Sequence, residues 1–256
     1  RRSVLSLLGA GVAACACAAC AGPRRARAAA LLRNADGSVK KPTILKNGQE
    51  SENKGLEATI RTKRALFYKM LRRLPRDRDA TIVEVGMGDF PNSAFWDDAW
   101  DVTMDIIGIE PDKSTHKRAV ESAEANGLLE RSNVSLRTVE ATAEDLPLEA
   151  KSADAVVFTF TLCSVEDPVK AVSEARRVLR PGGQMAFLEH VLSEEDPKLA
   201  SKQQAASAGV RRGGCRSDRP TLKTIQAAGF SSVDSAPYFL PSAGLKGPHV
   251  VGIATA

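Results

Sequence analysis

Residues Thr81–Asp89 read TIVEVGMGD, and the rest of the chain is organised around this stretch. Its β-branched, apolar start predicts a strand that is buried on both faces of a parallel sheet. Gly86 and Gly88 then predict a turn that lies against a ligand, because a residue without Cβ lets the backbone approach a bound group closely. The stretch therefore predicts a buried strand that leads into a ligand-binding loop.

Strand and helix patterns alternate along the chain after this loop, which is typical of an α/β protein with a doubly wound, mostly parallel sheet. Helices are predicted at 53–74, 91–100, 111–126, 167–179 and 221–228, with a turn at 180–183 and a loop or weak helix at 194–220. The last two strands are expected to form a hairpin at the sheet edge. Six strands are predicted after the first one, which makes seven in all. They lie at 105–110, 134–139, 153–160, 184–190, 231–236 and 250–255.

Composition and charge exclude several classes of protein. The chain has 256 residues, enough for one full α/β core with extensions. Five arginines within residues 1–30 account for the net charge of +5, and the remaining chain has 31 basic and 31 acidic residues. Aromatic residues make up only 5% of the chain. A neutral body with few aromatic residues argues against a nucleic-acid partner.

The cysteines and histidines show no ligand spacing. Only Cys163 and Cys215 lie beyond residue 30, and the three histidines are His116, His190 and His249. Two cysteines predict neither a disulfide framework nor a metal cluster, so no metal is expected. Cys163 is interpreted as a small apolar core residue and both His190 and His249 as structural residues.

The first 30 residues have the pattern of a targeting peptide. Arg1-Arg2 precede an uncharged run, Val4–Ala21, and small residues follow at Ala26–Ala28. The paired arginines suit a Tat-type signal, and the whole segment fits a plastid peptide that directs a protein to the chloroplast and its thylakoid lumen. A membrane anchor is the alternative, because 18 residues are just long enough to span a bilayer. We expect domain boundaries of 1–30 for this peptide, 31–75 for an extension with a helix, and 76–256 for the main domain.

The glycine loop does not fit the common nucleotide motifs. Pro91 occupies the place of the third glycine in the dinucleotide fingerprint, and no phosphate-binding loop with Gly-Lys-Ser/Thr occurs. An acid, Glu84, precedes the glycines and favours a ligand with an ammonium over one with phosphates. A second acid, Glu110, ends the next predicted strand, where a carboxylate can accept both hydroxyls of a ribose. S-adenosylmethionine has a ribose, an ammonium, a sulfonium and no phosphate, so it fits this pattern better than NAD.

Several blocks resemble class I S-adenosylmethionine-dependent methyltransferases, whose Rossmann-like fold is then expected. They are EVGMG at 84–88, IGIEPD at 107–112, ATAEDLPL at 141–148 and LRPGG at 179–183. The blocks FTLCSVEDP (160–168), EARRVLRPGGQMAFLEHV (174–191) and GPHVVGIA (247–254) are similar to the methyltransferase-like 7 group, the thiol S-methyltransferases. The resemblance covers residues 81–256 and implies transfer of a methyl group to a small-molecule acceptor.

The resemblance also implies roles for individual residues. Glu84, Gly86 and Gly88 match the motif at the methionine end of the cofactor, and Glu110 matches the ribose-binding acid. Ala143 and Glu144 match the segment beside the adenine. Thr161, with Leu162 and Cys163, follows the fourth strand, where the family places the methyl donor against its acceptor. No catalytic base is assigned, and the oligomeric state is left open.

Two departures from the family pattern keep alternatives open. Asp89-Phe90 replaces the usual Thr-Gly after the second glycine, and residues 207–220 differ from the family's acceptor-shaping segment. The first hypothesis is therefore a methyltransferase acting on a thiol, with peripheral membrane association left open. The second is a C- or O-methyltransferase acting on a quinone or prenyl-lipid precursor. The third is a degenerate, non-catalytic scaffold that binds the cofactor weakly.

Overall fold

The computed structural model describes residues 47–96 and 101–256, with side chains from residue 55 onward. The predicted targeting peptide lies outside the described residues, as do four residues of the helix predicted at 91–100. Among the helices within these ranges, none combines the length and hydrophobicity that a bilayer crossing requires.

A seven-stranded sheet forms the centre of the domain, as predicted. Its spatial order is β3-β2-β1-β4-β5-β7-β6. Strands β1 to β5 are parallel, and β7 is antiparallel to both of its neighbours. The strands are β1 (Ala80–Val85), β2 (Met104–Ile109), β3 (Val134–Val139), β4 (Ala153–Thr159), β5 (Leu179–His190), β6 (Ser232–Phe239) and β7 (Pro248–Thr255).

Side-chain chemistry explains the place of each strand in the sheet. Every residue of β4 is buried, and five of its seven residues are apolar, as expected at the middle of the sheet. The predicted hairpin of β6 and β7 forms, but only β6 lies at the edge. Strand β7 is mostly buried between β5 and β6, whereas β6 is largely exposed and contains Pro237, which an edge strand tolerates.

The described residues contain five α-helices, and four of them contribute to the two core clusters of the domain. Helix α1 buries Phe67 and Met70 in the same core cluster as Ala119 and Ala123 of α2. The opposite cluster contains apolar residues of α3 and α5. The helices are α1 (Asn47–Leu71), α2 (His116–Ala125), α3 (Pro168–Val178), α4 (Pro197–Ser207) and α5 (Thr221–Ala227).

Several predicted boundaries differ from the structure. The helix predicted from residue 91 is a single 3-10 turn, Ser93–Phe95, within the described residues. The turn predicted at 180–183 belongs to β5, which begins at Leu179 with a shift of register against β4. The segment at 194–220 contains a full helix, α4, whose first backbone N–H groups are capped by the Asp196 carboxylate. Local capping thus outweighed the weak hydrophobic pattern of this segment.

Candidate active site

The glycine loop that follows β1 forms a turn, and both of its glycines have a positive φ. Gly86 has a φ of +67° and Gly88 a φ of +53°, both in the left-handed region that favours glycine. A Cβ on Gly86 would lie 2.4 Å from Cγ2 of Thr161. Thr161 also donates its hydroxyl to the Val85 carbonyl over 3.0 Å. The loop after β1 and the loop after β4 therefore pack directly against each other at the carboxyl ends of their strands.

Glu110 faces this loop from the end of β2. Its Oε2 accepts a hydrogen bond from the Gly88 backbone N–H at 2.9 Å, and its Oε1 accepts one from Asp112 at 3.0 Å. The side chain is half-buried. Each carboxylate oxygen can accept two hydrogen bonds, so Glu110 is held in place by the backbone and keeps acceptor capacity for a ligand.

Glu84 is the buried acid at the end of β1. It is 3% exposed, and burial raises its pKa to about 7. Its Oε1 accepts a hydrogen bond from the Asn92 amide at 2.8 Å. Among the described residues, its Oε2 has no hydrogen-bond partner although it is buried. An unsatisfied buried carboxylate oxygen is costly, and it marks the place where a hydrogen-bond donor would be stabilised.

The site residues predicted from the sequence do not include Lys63 of α1. The structure buries Lys63, and its ammonium donates to the Asn92 Oδ1 at 2.7 Å. The same ammonium lies 5.5 Å from the centre of the Phe160 ring. Lys63 is four residues from Thr59 and four from Phe67, so it shares their side of the helix, but only the packing of the helix shows that this side is buried.

The Asp89-Phe90 departure is accommodated by packing. Phe90 has a φ of +55° and is fully buried, with its ring centre 6.4 Å from that of Trp96. The Asp89 carboxylate accepts a hydrogen bond from Arg118 of α2 at 2.8 Å. The two residues that replace Thr-Gly thus anchor the glycine loop to the core and to α2.

The predicted adenine segment lies after β3. Ala143 is buried, and Glu144 is half-buried. The Oε1 of Glu144 accepts hydrogen bonds from the backbone N–H groups of Glu166 and Asp167, at 2.8 and 3.1 Å. Glu144 therefore joins the loop after β3 to the loop after β4, and its role beside an adenine stays a prediction.

Glu189 fixes the backbone of the loop after β4. This fully buried residue of β5 accepts backbone hydrogen bonds from Thr161, Leu162 and Cys163, at 2.8, 2.9 and 3.2 Å. Burial raises its pKa to about 7. Nothing in the local sequence distinguished Glu189 from other strand residues, so its role depends on the pairing of β4 with β5.

Two cysteines and a histidine that are far apart in sequence meet behind the same loop. Nδ1 of His190 lies 3.5 Å from the Cys163 sulfur and 3.2 Å from the Cys215 sulfur. Burial raises the pKa of the Cys163 thiol, and burial lowers the pKa of the nearby His249 to about 3. Sequence spacing had given no indication of this group, because its members come from three separate segments.

The sheet order and the loops at the carboxyl ends of β1, β2 and β4 define a Rossmann-like methyltransferase fold. A family model described as a methyltransferase domain matches residues 83–187. The thiol S-methyltransferase TMT1B of Rattus norvegicus is 31% identical over 75% of this chain and 77% of its own length. The human TMT1B is 32% identical over the same shares. The chain therefore belongs to the S-adenosylmethionine-dependent methyltransferases, in the family of these relatives, and is a methyltransferase.

Other similarities are shorter or weaker. The quinone C-methyltransferase UbiE of Rhizobium etli is 48% identical, but over only 26% of this chain and 25% of its own length. Among solved structures, a putative sarcosine dimethylglycine methyltransferase from Galdieria sulphuraria has a TM-score of 0.57 at 16% identity, covering 78% of this chain and 86% of that chain. The [4+2]-cyclase SpnF has a TM-score of 0.54 at 23% identity, covering 75% and 80%. The structural likenesses support the fold alone.

Proposed function

We propose that this methyltransferase binds S-adenosylmethionine in the loops after β1, β2 and β4, and transfers the methyl group to the sulfur of a small thiol. The observation that carries the cofactor assignment is the buried carboxylate of Glu84, with one oxygen unpartnered among the described residues. When bound, S-adenosylmethionine would supply a methyl group on a positively charged sulfur.

Glu84 and Lys63 match the charges of an amino acid. Asn92 lies between them, donating to the carboxylate of Glu84 and accepting from the ammonium of Lys63. A zwitterion would bring an ammonium to the free Glu84 oxygen and a carboxylate toward Lys63. A dinucleotide would instead bring phosphates to the buried acid, which is electrostatically unfavourable.

Glu110 would hold the ribose of the cofactor. The backbone N–H groups of Gly88 and Asp112 fix both of its oxygens, and the remaining lone pairs can accept two vicinal hydroxyls. Gly86 and Gly88 have no side chains, so the loop presents its backbone at this point. These residues fit the adenosyl part of the group without further change.

A thiol acceptor suits the groups around the loop after β4. Methyl transfer from a sulfonium requires alignment of the nucleophile more than it requires acid–base groups. A carbon or oxygen acceptor requires a base, but both oxygens of Glu189 are engaged by backbone N–H groups. A thiol, with an ordinary pKa of about 8.5, ionises in solution to a useful extent. The relatives named as thiol S-methyltransferases, which match over 77% of their own length, support the same acceptor.

Replacement of Glu110 tests the cofactor site. We expect Glu110→Ala to weaken S-adenosylmethionine binding by about 1.5–3 kcal/mol, the range for hydrogen bonds to a charged group. Isothermal titration of the folded variant measures this change. Glu121→Ala, on the exposed side of α2, is the matched control and should bind as the parent protein does. Unchanged affinity in Glu110→Ala would remove this residue from the site.

A labelled-methyl assay tests the acceptor. A small aliphatic thiol, the alcohol of the same carbon skeleton and a quinone precursor are compared at equal concentration. We expect label on the thiol only. Labelling of the quinone precursor would replace the thiol assignment by the UbiE-like alternative. If the titration detects no cofactor binding at all, the scaffold hypothesis gains support instead.

We also propose that residues 1–30 direct the protein to the plastid. Their paired arginines, uncharged run and small residues support this assignment. The N-terminal sequence of the mature protein from plastid fractions provides the test. An intact leader in the membrane fraction would favour the anchor instead.

A further inference from the structure

The thiol–imidazole cluster of Cys163, His190 and Cys215 lies beside the predicted methyl-transfer loop. One ligand atom from each residue lies within 4.8 Å of the other two. The three residues come from the loop after β4, the last residue of β5 and the segment between α4 and α5. Thiol and imidazole are the ligands that zinc and other thiophilic cations prefer.

The distances in the cluster fit the edges of a metal coordination sphere. With zinc–sulfur bonds of about 2.3 Å and zinc–nitrogen bonds of about 2.0–2.1 Å, the sulfur–nitrogen edge of a tetrahedral site is about 3.6 Å. The observed separations from Nδ1 of His190 are 3.5 Å to Cys163 and 3.2 Å to Cys215. The same ring nitrogen faces both sulfurs, as a shared ion would require.

Electrostatics also favour a divalent cation at this place. Cys163 is fully buried, His190 is 2% exposed and Cys215 is 9% exposed. Two thiolates and a neutral imidazole would cancel the charge of a divalent ion, so the loaded cluster would leave no net charge in the interior. Cys215 is the most exposed of the three residues.

The protein holds the ligands in place without the ion. The Cys163 backbone is fixed twice: its N–H donates to Glu189, and its carbonyl accepts a hydrogen bond from Arg216 at 2.7 Å. Arg216 directly follows Cys215, so this bond ties the two cysteine segments together. The His190 ring stacks on Phe160 with ring centres 4.6 Å apart. Such supporting contacts orient metal ligands and fix the ring.

We propose that Cys163, His190 and Cys215 form a three-ligand site for a thiophilic divalent cation, with Zn²⁺ as the probe. Binding would exchange two thiol protons for one cation, with no change of oxidation state. The ion would join the loop after β4 to the segment between α4 and α5. This site does not depend on which molecule accepts the methyl group.

The test uses the full chain with Cys15, Cys17 and Cys20 replaced by serine, because these residues could bind the same ions. After removal of metal under reducing conditions, the protein is titrated with Co²⁺ and then with Zn²⁺. We expect one Co²⁺ per chain, with the near-ultraviolet absorption band of a cobalt–thiolate bond, displaced by one Zn²⁺. Cys215→Ser and His190→Gln should each weaken binding at least tenfold. His116→Gln, a histidine outside the cluster, should leave binding unchanged.

Two results of the titrations would overturn the proposal. One is a folded, reduced protein that gives no cobalt–thiolate band. The other is equal metal affinity in the parent and in Cys215→Ser, with circular dichroism showing both to be folded. A further experiment is mass spectrometry of protein that is purified without reductant and then alkylated, which detects a disulfide. A Cys163–Cys215 disulfide as the resting state would assign the pair to redox chemistry and also overturn the metal site.

Discussion

Glu84 and Glu189 are the same residue type at similar depth, yet they serve different purposes. Both are at most 3% exposed, and burial raises the pKa of each to about 7. Glu189 uses both carboxylate oxygens to hold three backbone N–H groups of its own chain. Glu84 uses one oxygen, for Asn92, and leaves the other unpartnered within the described part of the chain. A satisfied buried carboxylate indicates structure, whereas an unsatisfied one indicates a ligand.

Replacement of Glu189 should have the largest effect on stability. Glu189→Leu would leave three buried backbone donors without an acceptor, and we expect the free energy of unfolding to fall by about 3–5 kcal/mol. Urea unfolding at pH 7 measures the change. Glu189→Gln, which keeps one acceptor oxygen, should lose less. If Glu189→Leu cost under about 1 kcal/mol, the carboxylate would not be the element that holds this loop.

Replacement of Glu84 should raise the stability of the protein at high pH, whereas replacement of Glu189 should lower it. The folded pKa of Glu84 lies above the ordinary value of 4.5, so the folded state binds extra protons between pH 4.5 and about 7. The stability of the cofactor-free protein should therefore fall as the pH rises through this window, by up to about 3 kcal/mol. Glu84→Gln removes the contribution of Glu84 to this dependence, whereas the contribution of Glu189, whose pKa is raised to about the same value, remains. The variant should be more stable than the parent at pH 8, while binding S-adenosylmethionine more weakly.

Urea unfolding of both proteins at pH 5 and pH 8 measures this difference. Glu121→Gln, an exposed glutamate on α2, is the control and should not alter the pH dependence. A Glu84→Gln variant that is less stable than the parent at pH 8 would place Glu84 with Glu189, as a structural carboxylate. The comparison between the two glutamates would then fail.

The smallest effect on stability is expected at Asp89, where the glycine loop departs from the family pattern. Nε of Arg118 lies 2.8 Å from Oδ1 of Asp89, and the two side chains are 42% and 12% exposed. Asp89→Ala should cost about 0.5–1 kcal/mol of stability and leave cofactor binding nearly intact. A double-mutant cycle with Arg118→Ala isolates the contribution of the pair. A loss of binding as large as that expected for Glu110→Ala would show that Asp89 contacts the cofactor directly.

The sheet and the glycine loop were predictable because their signals are local. Buried parallel strands are continuous apolar runs, and left-handed turns require glycine, so β1, Gly86 and Gly88 could be identified residue by residue. The place of Glu110 followed from its position at the end of the next predicted strand. Helix bounds were less accurate, since α4 depends on the Asp196 cap rather than on apolar periodicity.

The rest of the site could not be derived in this way. Lys63 lies upstream of the glycine loop, on a helix whose packing decides which of its basic residues are buried. The cysteine–histidine cluster depends on pairs separated by 25 and 27 residues. Such contacts are set by strand order and by the return of the chain after β5. Rules for the spacing of metal ligands apply to local motifs, so they do not predict such long-range contacts.

Helix α1 has a further implication for how the protein is made. It is synthesised before every strand, yet its apolar side packs against β5 and against β7, the last strand of the chain. On the ribosome, the part of this side that packs on β5 and β7 therefore stays uncovered until those strands have emerged. A chain with this order of synthesis is exposed to aggregation during translation and would benefit from a chaperone that shields α1 until β7 pairs.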